Sequence, residues 1–402
     1  MPQNWKTYKL GEVANIGSSK RIFRADYVPF GIPFYRSKEI IQKSFGEEVN
    51  DVLYIDPDKY YRIKEKYGSP VQGDVLLSAV GNRSGIPYLV DNDGDFYFKD
   101  GNLMWLRDFK VLIDSSFLVY WFKSKVGQHY LNSLMIGSAQ KALTIEGVKT
   151  ISIILPPLPE QKAIANILSA IDAKIENNLA INKTLEEMAM ALYKEWFVDF
   201  GPFQDGKFIE SELGLIPEGW EVRRLDEVAS FKNGKGISVK ERDDAGKYKI
   251  YGSNGIIGRT NKLMFKDSVI AIGRVGANYG EVHYSVDPCW VSDNAVTAQP
   301  LGSYYWWLLQ TLRLIDYSNF VGGSAQPLIT QTAIKNHLIP APETELILDI
   351  SNKMGRLFES IQHNNTENQS LTQLRDSLLP KLISGEVRLN EFDLEEVLEG
   401  EI

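Results

Sequence analysis

The 402 residues are enough for two or three domains, and 44% hydrophobic with 24% charged residues is a globular balance that excludes long disorder and fibrous classes. A single cysteine, Cys289, excludes an intrachain disulfide and a cysteine-based zinc site, and the four histidines (His129, His283, His337, His363) are too scattered to form a metal motif. The net charge of −8 is uneven: residues 1–155 hold 20 basic and 17 acidic side chains, whereas 343–402 hold 5 and 13, so a local basic face is permitted only outside the acidic end.

Taken in chain order, the first ten residues carry no signal-peptide core. No apolar run approaches the ~18 residues of a membrane helix, so a soluble, cytoplasmic protein is expected. Residues 10–16 form a short amphipathic start, as do 225–231. Runs 75–80 and 269–272, aliphatic and ended by glycine, read as buried strands. Residues 117–130 and 304–315 read as helices with aromatic faces, with Trp121 and Trp307 expected in the core. Gly-Asn, Asn-Gly and Asp-Gly steps, such as Gly81-Asn82, Asp93-Gly94 and Asn254-Gly255, mark turns between them. Residues 200–217, polar and rich in glycine and proline, read as a linker. The tail beyond Leu389, with carboxylates at Glu391, Asp393, Glu395, Glu396, Glu399 and Glu401, is expected to be disordered.

The chain repeats itself. Trp5, Leu10, Glu12, Val13 and Ala14 recur as Trp220, Leu225, Glu227, Val228 and Ala229 at an offset of 215. Gly137-Ser138-Ala139-Gln140 followed by Leu143-Thr144 recurs as Gly323-Ser324-Ala325-Gln326 followed by Ile329-Thr330 at an offset of 186. Shared ends and divergent middles imply one scaffold carrying two different surfaces.

A third repeat is periodic. Ile164, Leu168, Ile171, Ile175, Asn178, Asn182, Leu185, Ala189, Leu192 and Trp196 are spaced by four and three. At the same offset of 186 stand Ile350, Met354, Leu357, Ile361, Asn364, Asn368, Leu371, Arg375, Leu378 and Leu382, with Arg375 alone breaking the character. A sustained heptad seam predicts two long coiled-coil helices. If they run antiparallel, Asn178, Asn182, Asn364 and Asn368 meet in a central polar layer that fixes register at some cost in stability.

The expected fold is α+β. Two globular blocks are separated by two long helices that pair as an antiparallel coiled coil, with a pseudo-two-fold internal repeat. The expected boundaries are 1–155 for the first block, 156–200 for the first helix, 201–219 for the linker, 220–342 for the second block, 343–388 for the second helix and 389–402 for the tail.

No phosphate-binding loop, zincin motif, nucleophile elbow, kinase signature or methyltransferase catalytic string is present, and no catalytic residue is assigned. What remains are polar, glycine-bearing loops suited to nucleic acid, since Arg and Lys meet phosphates and guanine edges while Asn and Gln meet adenine. The candidates in the first block are Lys20, Arg21 and Arg24; Arg36, Ser37 and Lys38; Asn82 and Arg83; Gln140 and Lys141. Those in the second are Lys232, Asn233 and Lys235; Ser253, Asn254 and Arg259; Arg274, Asn278 and Tyr279; and Gln326. Each could equally be a solvated turn residue.

The chain resembles the specificity subunit of Type I restriction-modification enzymes. The resemblance rests on the Trp5 and Trp220 openings, the Gly-Ser-Ala-Gln segments, and Leu155-Pro156-Pro157-Leu158-Pro159-Glu160-Gln161. It rests also on Leu192-Tyr193-Lys194-Glu195-Trp196-Phe197 and the closing stretch from Leu378 to Glu386. It extends to about Leu389. The second copy departs at Pro340-Ala341-Pro342-Glu343-Thr344-Glu345, which lacks the Pro-Glu-Gln.

The resemblance implies two target-recognition domains reading the halves of an asymmetric, bipartite site in double-stranded DNA. The helices would set the spacer, and this subunit would do no chemistry. It implies two methyltransferase subunits and restriction (helicase–nuclease) subunits as partners, with S-adenosylmethionine, ATP and Mg2+ belonging to them rather than to this chain. Trp196 and Phe197 are the candidate partner contacts, with core packing the other reading of both. Two other functions stay open: the recognition subunit of a Type IIB-like enzyme, and a protein-binding scaffold.

Overall fold

The computed structural model describes residues 4–137, 141–322 and 328–389. Gln140, Gln326 and the acidic tail beyond Leu389 therefore lie outside the described residues. The chain divides into two compact units, one of Met1–Asn178 with Thr366–Ile402 and the other of Leu179–Asn365.

The repeated ends have a physical reason. In unit 1, strand Lys6–Lys9 pairs antiparallel with Ser152–Leu155, Lys6 opposite Leu155. In unit 2, Glu221–Arg224 pairs in the same way with Leu338–Ala341, Glu221 opposite Ala341. Each block is thus closed by a ribbon of its first and last strands, immediately before a long helix begins at Leu158 or Thr344.

The four-stranded sheet inside each block is also the same. Its order is Asn15–Gly17, Leu103–Arg107, Val75–Ser78, Pro87–Leu89 in unit 1. In unit 2 it is Ala229–Asn233, Ala295–Pro300, Val269–Gly273, Val282–Ser285, again antiparallel throughout. Both predicted buried strands are its central members. The second sheets diverge. In unit 1, strands Ile32–Tyr35 and Leu53–Ile55 are separated by helix Ser37–Ser44, and helix Pro57–Tyr67 follows. In unit 2 the corresponding place holds a single 3-10 turn, Val239–Glu241, and the hairpin Tyr248–Gly252 and Gly255–Thr260, with no α-helix. The longer middle of the first repeat is therefore two inserted helices.

Two expectations are corrected. Residues 117–130 are not one helix but parts of two, Ser115–Lys123 and Lys125–Ser133. The Ser124 hydroxyl accepts from the Gly127 N–H, capping the second helix, and a Cβ at Gly127 would come within 2.1 Å of the Trp121 carbonyl oxygen. The supposed linker is folded: Phe208–Ser211 and Gly214–Pro217 form a hairpin, and Phe200 and Phe203 pack edge-on against Trp220. Trp121 and Trp307 are both buried in the cores of their units.

The two long helices are Leu158–Phe197 and Thr344–Ser384. They pair antiparallel within each unit, since residue numbers rise along one helix as they fall along the other. In unit 1 the Asn178 amide donates to Asn368 Oδ1 at 2.9 Å, and Asp172 meets Arg375 at 2.9 Å. In unit 2 Asn364 donates to Asn182 at 2.9 Å, and Asn182 donates to Asn365 at 3.0 Å. The four predicted asparagines thus form two amide pairs, one in each unit.

The helices bury a second face that the heptad pattern does not reveal. Gln161 is fully buried and satisfies three backbone groups: its amide donates to the Leu112 and Pro156 carbonyls, and its oxygen accepts from the Asp114 N–H. Glu160 accepts from the Trp5 indole and meets Arg388. The Pro-Glu-Gln segment therefore roots the first helix in its block. The second copy lacks it, and Trp220 stands instead in an aromatic cluster with Phe197, Phe200 and Phe203.

The contact between block and helices also differs between the units. The Tyr120 hydroxyl donates to Asp172, which is held in addition by Arg375 and, at 3.6 Å, by Lys123. The repeat equivalents of Tyr120 and Asp172 are Trp306 and Phe358, stacked with centroids 4.0 Å apart and planes 4° apart. The equivalent of Arg375 is Ala189, fully buried. The residue that breaks the sequence pattern is thus the partner of the carboxylate that breaks the aromatic pairing.

Replacing Asn178, Asn182, Asn364 and Asn368 together by leucine raises the thermal midpoint, because buried amides give way to apolar seam residues, and it admits more than one register. Calorimetry with cysteine cross-linking along the seam reads both effects; a lowered midpoint or a single retained register contradicts this account.

Candidate nucleic-acid interface

The repeated sheet ends in the same loop in both units. In unit 1 the Ala79 N–H donates to the Asn102 carbonyl, and the Ala79 carbonyl accepts from Leu143. In unit 2 Arg274 makes the same two bonds, to Asn294 and from Ile329. The Gly85 N–H closes on Ser78 and the Gly280 N–H on Gly273, each at 2.7 Å. Four glycines set the shape: Gly81 and Gly85 in unit 1, Gly276 and Gly280 in unit 2, all with φ between 78° and 95°. These are left-handed values that other residues adopt only with strain. Between the paired glycines lie Asn82, Arg83 and Ser84 in one unit and Ala277, Asn278 and Tyr279 in the other. One backbone frame therefore presents two different sets of side chains.

A second segment abuts each loop. In unit 2, Asn278 Nδ2 donates to Asn254 Oδ1 at 2.5 Å, tying the loop to the tip of the hairpin. In unit 1 the Arg83 guanidinium lies 5.0 Å from the Phe45 ring, at the end of helix Ser37–Ser44. Asn82, Arg83 and Asn254 are exposed, and Arg274, Asn278 and Tyr279 are half-buried. Arg274 Nε is buried without a hydrogen-bond partner.

The remaining sequence candidates divide in two. Lys20, Arg24, Lys38, Lys141, Lys232, Asn233 and Lys235 are exposed, as is Arg21, which pairs with Asp100 at 3.0 Å. Others serve the fold. Arg36 is held by Glu39 and Asp51, which keep its guanidinium above its usual pKa; Glu39 is itself buried. Arg259 donates to the Gly246 and Lys247 carbonyls, Ser37 to Asn102 and Ser253 to Asn294. Phe197 is corrected outright as a partner contact: it is buried against Trp220 and Trp307. Trp196 is half-buried, edge-on to Phe203 and beneath Lys353.

One cluster in unit 1 joins the candidate Lys20 to residues outside the candidate loops. Lys20 and Lys66 both lie over the Tyr67 ring, and Arg107, stacked on Trp105, donates to the Tyr67 carbonyl. Nothing local marks it, because strand, loop and helix supply one part each.

No cluster of three or more His, Cys, Asp or Glu side chains among the described residues is placed to hold a metal ion. Burial pushes the Cys289 thiol up to about 11, far from the reactive thiolate range. No helix among the described residues is long and apolar enough to cross a membrane.

The family model described as the Type I restriction modification DNA specificity domain matches residues 2–187 and again 217–373, one match for each repeat. The chain is 30% identical over 311 residues to the Type I restriction enzyme MjaIX specificity subunit of Methanocaldococcus jannaschii, covering 69% of this chain and 70% of that one. It is 24% identical to the HindI specificity subunit of Haemophilus influenzae, covering 96% and 100%. The crystal structure of a Type I restriction-modification S subunit from M. genitalium has the same fold, with a TM-score of 0.60 at 18% identity over 94% of this chain and 96% of that one. Two matched domains, two unlike loops on one frame and a shared pair of helices converge on one conclusion: the chain belongs to the Type I restriction-modification specificity subunits, the non-catalytic DNA-recognition members of their complexes.

Proposed function

We propose that unit 1 and unit 2 each read one half of an asymmetric, bipartite duplex site, and that the two long helices set the number of unread base pairs between the halves. The observation that carries this reading is the loop frame common to both units. Its backbone hydrogen bonds and left-handed glycines are the same, while the side chains between them are not. A fixed frame positions side chains against base edges; a changed set of side chains changes the bases preferred.

Methyltransferase subunits dock on the long helices, where Ile181 and Met188 stand seven residues apart on one stripe, both more than 40% exposed. Apolar side chains left open on a paired helix suit a helical partner surface. Restriction subunits join through those partners. S-adenosylmethionine, ATP and Mg2+ belong to the partner subunits, and the base to be methylated is flipped by the methyltransferase.

Two changes test the reading in the assembled complex. Asn254→Ala with Asn278→Ala relaxes one half-site, by about 1–3 kcal/mol of discrimination per lost bidentate contact, and leaves the other half as it was. Mapping of modified sites reads this, and equal change in both halves contradicts it. Inserting one helical turn, ~5.4 Å, into both helices beside Asn178 and Asn368 lengthens the unread gap by one or two base pairs at ~3.4 Å each. An unaltered gap refutes the role of the helices.

A further inference from the structure

We propose that unit 1 carries a clamp for the phosphodiester backbone of DNA, built on Tyr67 by Lys20, Lys66 and Arg107, and that unit 2 has none. This rests on the DNA-reading function proposed above and adds to it a division of labour between the units.

The clamp is assembled from three parts of the fold. Helix Pro57–Tyr67 ends at Tyr67, whose ring is exposed. The Lys20 ammonium lies 4.6 Å from the ring centroid and that of Lys66 lies 5.3 Å from it. Lys20 is brought there by its loop, since its backbone N–H donates to the Tyr97 hydroxyl. Arg107 comes from the sheet. Its guanidinium stacks at 4.1 Å on Trp105, whose indole is anchored on Asp74, and it donates to the Tyr67 carbonyl at 3.1 Å. Gly68 makes room for it: a Cβ there would stand 2.9 Å from Arg107 Nη1.

Arg107 is met by Asp108 at 3.6 Å, but the two lysines at the ring are unbalanced. Two ammonium groups converge on one ring, and no carboxylate among the described residues lies within ion-pair distance of either. Arg62, one turn before Lys66 on the same helix, is exposed and gives only its Nε–H to the Asp58 carbonyl. Like charges one turn apart repel. A helix C-terminus favours a cation in its last turn, which accounts for Lys66 but not for Lys20 brought from elsewhere or for Arg62 a turn earlier. By contrast, Lys59 and Lys64 on the same helix are matched to Asp26 and Asp95. The unmatched cations call for an anion from outside, and in a DNA-recognition subunit the anion at hand is the backbone phosphate.

Unit 2 lacks these parts. Helix Pro57–Tyr67 has no counterpart there. From the pairing of the repeated sheets, Trp105 corresponds to Thr297 and Arg107 to Gln299. Lys235 alone remains, in the place of Lys20.

The test uses the full chain assembled with its methyltransferase subunits, titrated by fluorescence anisotropy against a target duplex and a random duplex across a range of NaCl. Each phosphate contact contributes about 0.9 to the slope of log K against log salt. Lys20→Ala with Lys66→Ala lowers that slope by nearly two on both duplexes and leaves the ratio of target to random affinity within about twofold. Lys20→Arg with Lys66→Arg restores it. Circular dichroism of the exposed-site variants verifies folding. An unchanged slope overturns the clamp, as does a change confined to the target duplex, which would make these residues base readers. Because the slope is read on random DNA as well, the clamp is judged even if the unaltered complex shows no target preference, a result that would instead contradict the function proposed above.

Discussion

The antiparallel pairing of two long helices is the constraint on which the rest of the protein depends. Each helix belongs to unit 1 over one half of its length and to unit 2 over the other. Unit 1 is therefore made of two separate stretches of sequence and completes its core with a helix segment from the far end of the chain, whereas unit 2 is one continuous stretch bounded by the second half of the first helix and the first half of the second. Leu382 and Ile383 are buried in unit 1, and Ala189, Tyr193 and Phe197 in unit 2. The amide pairs Asn178–Asn368 in unit 1 and Asn182–Asn364 in unit 2 lie along this pairing, where any polar group in a seam costs stability.

On that support the two blocks are variations of one design. Their closing ribbons, four-stranded sheets and loop frames coincide, and the differences lie where a difference has a consequence. The inserted helices of unit 1 bring a basic, aromatic surface that the hairpin of unit 2 does not. The contact with the helices is polar in unit 1, through Tyr120, Asp172 and Arg375, and aromatic in unit 2, through Trp306 and Phe358. Burial and the Asp172 carboxylate both push the Tyr120 hydroxyl up, so it stays a donor at any physiological pH.

Much of this was legible because it is periodic or repeated. A heptad seam needs only local spacing, so both helices and Arg375 as the odd member could be read directly. The repeated Trp5 and Trp220 openings exposed the two-block plan. What local pattern could not supply was contact across long separations. Gln161 looks like an ordinary helix glutamine until Leu112 and Asp114 are placed beside it. Phe197, next to Trp196 near a helix end, reads as a surface anchor until unit 2 closes over it. Residues 200–217, read as linker from their glycines and prolines, pair as a hairpin that turns at Glu212 and Leu213. The Lys20, Lys66 and Arg107 cluster combines a predicted loop residue with a helix and a central strand that lie far from it in sequence.

The central claim is that two unlike reading surfaces act through one chain of fixed helix register. Its most direct test is to map the methylated bases that the assembled complex with the unaltered chain leaves in genomic DNA. The account predicts two short, unlike half-sites separated by a constant number of unread positions. A single continuous site, a pair of identical inverted halves, or a gap that varies from site to site would contradict it.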